Sequence, residues 1–359
     1  MAKKKSGMKN FLKTIFHIGS HNACDDYIRE VKTVGNSRLV VDSIDGGICT
    51  LKTTDNAYVK VLQLTDLHIG GSFVSESADL AAFKAMTKLI EYSKPDLIVI
   101  TGDLTFAKWG KAKSNNNLRP FIQLCEFFER IGVIWCFTFG NHDTEMQMKY
   151  KGSDFIESAK RYKKCLLPEK NECGKRLNML VNIKDMQGKI FQSLFLLDSG
   201  DYAHGGYDCV GEEQLDWYEA CVNDLKSQGV ESSMMFFHVP MLEWKDIVSK
   251  YNAHSPEITY YYGRMGERGG AVCASEKGNS ILERINRLEN TKAVFVGHDH
   301  LNDLSVEYKG VRYTYGKSID YLAYDGIEES TFQRGATLIT LHTDSEFEIT
   351  PIVLCDIAE

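Results

Sequence analysis

The chain lacks most of the marks of a secreted or membrane-borne protein. No apolar run approaches the roughly 20 residues that a membrane span needs. Its ten cysteines include no Cys-x-x-Cys pair and no zinc-finger spacing, which argues against a disulfide framework or a structural zinc site. Cys125, Cys136 and Cys209 lie in or beside apolar runs, where a buried free thiol is the default. No Asn-x-Ser/Thr sequon occurs. These absences together point to a reducing, intracellular setting, and the expected location is the cytoplasm. There are only six prolines, and neither proline nor glycine builds a linker between two halves. No internal repeat is evident. Positive charge is in short supply too. The formal net charge of -7 argues against nonspecific binding to a nucleic-acid backbone.

One stretch does carry positive charge. Lys3, Lys4, Lys5 and Lys9 precede Phe11-Leu12 and Ile15-Phe16. Lys13, Thr14 and His17 interrupt that apolar stretch, so a signal peptide is not expected there. Residues 1–35 read as a solvated N-terminal extension, with a membrane-surface amphipathic segment as the sharper alternative. Residues 36–359 read as one domain.

What is present is the material of a large soluble core: 43% hydrophobic and 25% charged residues. Strand patterns occur at Val59–Leu64, Leu97–Ile100, Val133–Phe139, Ser193–Leu197, Met234–Phe237 and Ala293–Val296. Helical patterns between them occur at Ala78–Ser93, Phe121–Ile131, Glu212–Lys226 and Ser280–Leu288. This alternation predicts an α/β sheet. After Asp299 the pattern changes. Asp303–Tyr308, Val311–Gly316, Ala336–Leu341 and Phe347–Val353 read as successive antiparallel strands. A hairpin is expected over Arg38–Val41 and Ile48–Thr53, turning at Asp45-Gly46-Gly47. The stretch of about 251–279 reads as an irregular inserted loop on a substrate rim.

Five strand patterns run into polar residues of one chemical kind. They lead to Asp66-Leu67-His68, Gly102-Asp103, Gly140-Asn141-His142-Asp143, His238 and Gly297-His298-Asp299-His300. Strands of an open α/β sheet share a crevice at their C-terminal ends. Asp66, His68, Asp103, Asn141, His238, His298 and His300 should therefore converge. Two carboxylates, an amide oxygen and four imidazoles suit borderline ions such as Mn, Fe, Zn, Ni or Co. Seven donors exceed what one open catalytic ion needs and suit a pair sharing a carboxylate. Asp103 is the candidate bridge, with Asp66, His68 and His300 on one ion and Asn141, His238 and His298 on the other. Each motif alone has a plain reading as a core histidine, a turn or a cap; their joint order does not. Gly102, Gly140 and Gly297 are expected to tolerate positive φ before the ligands and to let the backbone approach a metal or phosphate closely. Gly200-Asp201 imitates the second motif but comes too late in the order, and reads as a loop near the site.

These motifs resemble the calcineurin-like metallophosphoesterase superfamily, whose pattern is D-x-H, G-D, G-N-H-D/E, a lone H and G-H-x-H. Within it the chain is similar to the purple-acid-phosphatase-like branch, supported by Leu197–Tyr202 and Phe236–Pro240. Phe106 stands where purple enzymes carry a ligating tyrosine, which implies a colourless protein without that phenolate. The resemblance implies a four-layer αββα sandwich of two mixed β-sheets flanked by helices, and the ligand partition above. The expected function is a dinuclear metal-dependent phosphoesterase. It would cleave the monoester of a phosphorylated small molecule by attack of a metal-bridging hydroxide. Phosphodiesterase action and a catalytically silent scaffold are the alternatives. His142 is the expected proton donor or phosphate contact, and Asp143 its orienting partner or a structural cap. Asp299 is expected to support the ligands from behind. Asn141, His142 and Arg264 are expected to contact substrate. Tyr260-Tyr261-Tyr262 and Arg268 add to the same rim.

Overall fold

The computed structural model describes residues 22–357 apart from 36–37, 56–57, 171–175, 204, 326 and 328–332. The basic cluster Lys3–Lys9 lies outside them.

Alternation within each strand builds the layers. In β3 (Val59–Leu64), Val59 and Val61 face one core while Leu62 and Leu64 face another. The same division holds for Leu97/Val99 against Ile98/Ile100 in β4 (Leu97–Thr101). It holds again for Ile134/Cys136 against Trp135/Phe137 in β5 (Ile134–Thr138). Strands apolar on both faces must be covered on both faces.

Five strands form one sheet in the order β16 (Phe347–Val353), β15 (Gly335–Leu341), β3, β4, β5. Nine form the other. Its order is β1 (Leu39–Asp45), β2 (Ile48–Thr53), β6 (Asn178–Lys184), β7 (Ile190–Leu197), β10 (Ser233–Phe236), β12 (Thr291–Val296), β14 (Val311–Tyr315), β13 (Ser305–Tyr308), β11 (Ile258–Tyr262). The inter-sheet core holds Met234, Phe236, Ala293 and Phe295 opposite Val59, Val61 and Val99.

Helices cover the outer faces. On the five-stranded sheet lie α1 (Ala23–Glu30), α2 (Glu76–Ser93), α3 (Leu118–Ile131) and α4 (Gly152–Ala159). On the nine-stranded sheet lie α5 (Glu212–Ser227), α6 (Trp244–Asn252) and α7 (Ile281–Leu288). The result is the expected αββα sandwich.

Helix α3 shows why its sequence is helical. Leu118, Phe121, Leu124, Cys125, Phe128 and Ile131 recur every three or four residues, and all are buried. Gly132, at φ 79°, takes the left-handed position that ends the helix. The Phe121 ring lies 4.5 Å from Phe155 and 5.4 Å from Phe137. Phe121→Ala is expected to cost about 3–5 kcal/mol of stability, read as a fall in the urea midpoint at constant slope.

Several local expectations change. Part of the expected N-terminal extension is a packed helix: α1 buries Cys24 and Ile28 against α2 and α3. Strand β14 runs parallel to β12, and β15 runs antiparallel to β3 in the other sheet. The segment after Asp299 thus forms the expected antiparallel pairs, β13 with β14 and β15 with β16, but splits them between the two sheets. The hairpin turns on Gly46 and Gly47, with Asp45 paired to Ile48. The 251–279 stretch, read as irregular, contains β11, an edge strand paired to β13. Its tyrosines pack along that edge. Tyr260 stacks on Tyr251, and Tyr261 lies under the Arg312 guanidinium at 3.8 Å with its hydroxyl on Glu307.

Candidate metal centre

Strands β3, β4 and β5 are parallel, as are β7, β10, β12 and β14. Their C-terminal ends open on one rim between the two sheets. Backbone bonds lock the loops together there: Asp66 N–H donates to the Gly102 carbonyl and His68 N–H to the Asp103 carbonyl. Gly297 N–H donates to the His238 carbonyl.

The loops are strained where they turn. Asp66, His68, Asp103 and His298 all adopt left-handed φ, from 49° to 76°. Each such non-glycine residue costs about 1–3 kcal/mol, so the surrounding packing must hold it. Of the three glycines expected at positive φ, only Gly102 has it, at 83°. Gly140 and Gly297 answer to close approach instead. A Cβ on Gly140 would sit 2.2 Å from Asp103 Oδ1, and one on Gly297 would sit 2.0 Å from Thr65 Oγ1.

Seven predicted donors meet in two groups. Asp66, His68, Asp103 and His300 offer ligand atoms within 4.8 Å of one another, and so do Asp103, His238 and His298. Asp103 belongs to both. Its Oδ2 lies 3.0 Å from His68 Nε2 and 3.2 Å from His238 Nε2. Asn141 adjoins the second group, with Oδ1 3.2 Å from His238 Nε2. The Asn141 amide nitrogen donates to the Tyr202 hydroxyl at 3.0 Å, which fixes which end of the amide faces the histidines.

The electrostatics suit a cation. Burial opposes charge on His238 and His300, yet the carboxylates of Asp103 and Asp66 lift each to about 9. Burial works against Asp103 too, but His238 and His142 hold it well below the usual carboxylate range. Burial, reinforced by His238, pushes His298 down to about 3, so that imidazole is neutral. His298 Nε2 is buried without a hydrogen-bond partner. The buried carboxylates thus favour positive charge on the imidazoles between them, a charge that a pair of metal ions would supply instead. The donor set therefore fits two ions.

His142 is half-buried beside this cluster, and its N–H donates to Asp103 Oδ1 at 2.9 Å. Its expected partner does another job. Asp143 accepts from the Gly140 and Thr105 backbone N–H groups and from the Thr105 hydroxyl, so it clamps the loops after β4 and β5. Burial, then the nearby Asp103, raises that carboxyl to about 7. Glu145 takes the place beside His142 instead, with Oε1 3.1 Å from Nδ1. Asn117 holds the same loop through the carbonyls of Asp143 and Tyr150.

Other residues frame the rim. Phe106, at the position where purple enzymes carry a ligating tyrosine, stacks on the His68 ring at 5.2 Å. The Gly200-Asp201 loop leads into a small ribbon, β8 (Tyr202–Ala203) and β9 (Gly206–Tyr207). Its two tyrosines stack on each other, and Tyr207 meets His298 edge-on at 4.2 Å. Asp299 turns away from the cluster and accepts from the Tyr315 hydroxyl at 2.8 Å. Residues 263–273 wrap the turn that carries His298 and His300. The Arg264 N–H donates to Asp303, that of Glu267 to Asn302 and that of Cys273 to Asp299. The Arg264 side chain is exposed on this segment.

Sequence reasoning missed Glu145, Tyr202, Tyr207 and Asp320. Asp320 was reachable. It follows β14, whose parallel pairing with β12 sends its end to the same rim. Reading β14 as part of an antiparallel run hid it.

The chain is similar to several known proteins. It is 26% identical over 307 residues to an Arabidopsis thaliana protein named "Probable inactive purple acid phosphatase 28", covering 76% of this chain and 73% of that one. It is 26% identical over 283 residues to the Saccharomyces cerevisiae "Phosphatase DCR2", covering 72% of this chain and 47% of the yeast protein. In structure it is similar to a dimetal phosphatase from Danio rerio at a TM-score of 0.55 and 11% identity, covering 83% of this chain and 97% of the other. The Calcineurin-like phosphoesterase family profile matches residues 59–302, the stretch that carries all five strand-end motifs. A match over that much of the sequence, with the strand ends meeting as the fold requires, means that the chain belongs to the calcineurin-like phosphoesterase family.

Proposed function

We propose that this protein is an active dinuclear metallophosphoesterase that hydrolyses the monoester of a phosphorylated small molecule. The observation that carries the reading is the shared position of Asp103, whose one carboxylate oxygen lies close to a histidine of each donor group. Asp66, His68 and His300 would hold one ion, Asn141, His238 and His298 the other, with Asp103 between them. Mn, Fe, Zn, Ni and Co all suit this mixed set. Bound there, the ions would supply an acidified water and neutralise charge on phosphoryl oxygens.

The protein's own groups do the rest. Glu145 holds His142 through Nδ1, which leaves Nε2 to give a proton to the leaving oxygen. Tyr202 keeps the Asn141 amide nitrogen away from the ions. Arg264, on the segment that wraps the histidine turn, is the proposed outer contact to substrate. Tyr202→Phe removes the acceptor for that amide, and turnover should fall about 2–10-fold with little change in KM. An equal rise in KM would make Tyr202 a substrate contact instead.

The nine described cysteines are all free, which supports the proposed cytoplasmic setting. No helix among the described residues is long and apolar enough to cross a membrane.

The word "inactive" in the name of the Arabidopsis relative favours a second reading, a fold that has given up catalysis. Against it, all seven donor positions here are filled. Assays with p-nitrophenyl phosphate and its bis ester, each with added Mn, decide. Hydrolysis of the monoester supports the proposal, activity on the diester alone replaces it with phosphodiesterase, and no activity with metal bound favours the silent fold.

A further inference from the structure

We propose that Asp320 is a positioning residue that aims two imidazoles, His68 and His300, at one shared cation and makes that half of the centre the tighter half. The inference rests on the dinuclear reading above and concerns a residue outside all seven predicted ligands.

Asp320 reaches both rings with one carboxylate. Its Oδ1 lies 3.4 Å from His68 Nδ1, and its Oδ2 lies 3.2 Å from His300 Nδ1. The opposite nitrogens face the other way. His68 Nε2 is 3.0 Å from Asp103 Oδ2, and His300 Nε2 is 3.3 Å from Asp66 Oδ1. Both Nδ1 atoms stand at ion-pair distance from Asp320 without a formed hydrogen bond, and a ring that turns its Nδ1–H to this carboxylate when a cation binds keeps the Nε2 lone pair for the metal.

The carboxylate is itself immobile. Leu322 and Ala323 N–H groups donate to Oδ1, and the Tyr324 N–H donates to Oδ2, all at 2.7–2.8 Å. Asp320 is fully buried, and its own N–H donates to the Asp66 carbonyl at 2.9 Å. One rigid group therefore ties together three of the residues proposed for one ion. The other half is built differently. His238 Nδ1 lies 2.8 Å from the neutral carbonyl of Thr101, and His298 Nε2 is buried without a hydrogen-bond partner. A carboxylate raises the donor strength of the imidazole it holds more than a carbonyl does. It also adds a third negative charge beside Asp66 and Asp103.

The test is a cobalt(II) titration of the full-length metal-free protein, followed by visible absorption and equilibrium dialysis. Wild type should take up two ions per chain in a tight and a weaker class. Asp320→Asn keeps the volume and an acceptor for the amides. It should weaken the tight class by about 10–100-fold and leave the weaker class unchanged. Two ions bound by wild type with unaltered tight binding in the variant would overturn the role of Asp320 alone. Equal weakening of both classes would do the same, because it signals a general structural loss. No cobalt uptake by wild type would overturn the dinuclear reading together with this one. Should Asp320→Asn fail to fold, long-range proton–nitrogen NMR of the zinc-loaded wild type decides: protons on Nδ1 of His68 and His300 support the assignment, and metal on Nδ1 defeats it.

Discussion

Asp103→Asn loses turnover by at least about 10²–10³-fold, the loss seen when one preorganised charge-stabilising group is removed. It also lowers metal content below two ions per chain, while circular dichroism shows the fold intact. The reason is the double duty of this side chain. One oxygen lies near a histidine from each donor group, and the other accepts the His142 N–H. An amide in its place keeps the shape but puts a neutral group where the charge of two cations must be shared. The fold survives because Asn keeps the volume and an oxygen to accept the His142 N–H, and the buried imidazoles that faced the carboxylate can shed their protons. Steady-state assays and elemental analysis on the same preparation check this. Unaltered kcat with two ions bound would remove Asp103 from the bridge.

The second large effect is kinetic without loss of metal. His142→Ala should keep both ions and lose about 10²–10⁴-fold in kcat if the imidazole delivers the proton to the leaving group. A leaving group that needs no proton separates roles. Loss with an alkyl phosphate and near-normal rates with p-nitrophenyl phosphate mark an acid, whereas equal losses mark a phosphate contact. Glu145→Gln should show the same leaving-group pattern in weaker form, because Glu145 is the partner of Nδ1. Asp143→Asn should behave otherwise. Its carboxylate accepts from Gly140 and Thr105, so that change loosens two loops and lowers stability first. A leaving-group effect in Asp143→Asn would return it to the catalytic role.

The comparison of strand β3 with strand β14 explains what could be read early. Val59–Leu64 is apolar on both faces, ends at a known kind of motif, and pairs in parallel with a neighbour of the same pattern. Period, length and polarity were all local there. For Val311–Tyr315 the period was equally clear, but its neighbour was not. Whether a strand runs parallel to β12 depends on which other strand lies beside it, and nothing within five residues encodes that. The Tyr260–Tyr262 run shows the same limit. Its alternation is that of an edge strand, but turn-rich flanks made it look like a rim.

Glu145 and Asp143 differ in the same way. Both are acidic residues next to His142, and sequence distance favoured Asp143. The loop folds so that Asp143 turns inward to cap backbone N–H groups, while Glu145, three residues on, comes back to the ring.

Residue type and strand order decided that a cation-binding, phosphate-directed chemistry sits at the strand ends, because ligand chemistry and apolar periodicity are written residue by residue. Asp103 was already the candidate bridge in the sequence; only the packed sheets set Asp320 against His68 and His300 and turned Asp143 onto the backbone N–H groups of two loops. Those roles turn on separations of 3 to 4 Å between side chains that can be more than 200 residues apart, as Asp66 and His300 are, joined only across the seam between the two sheets.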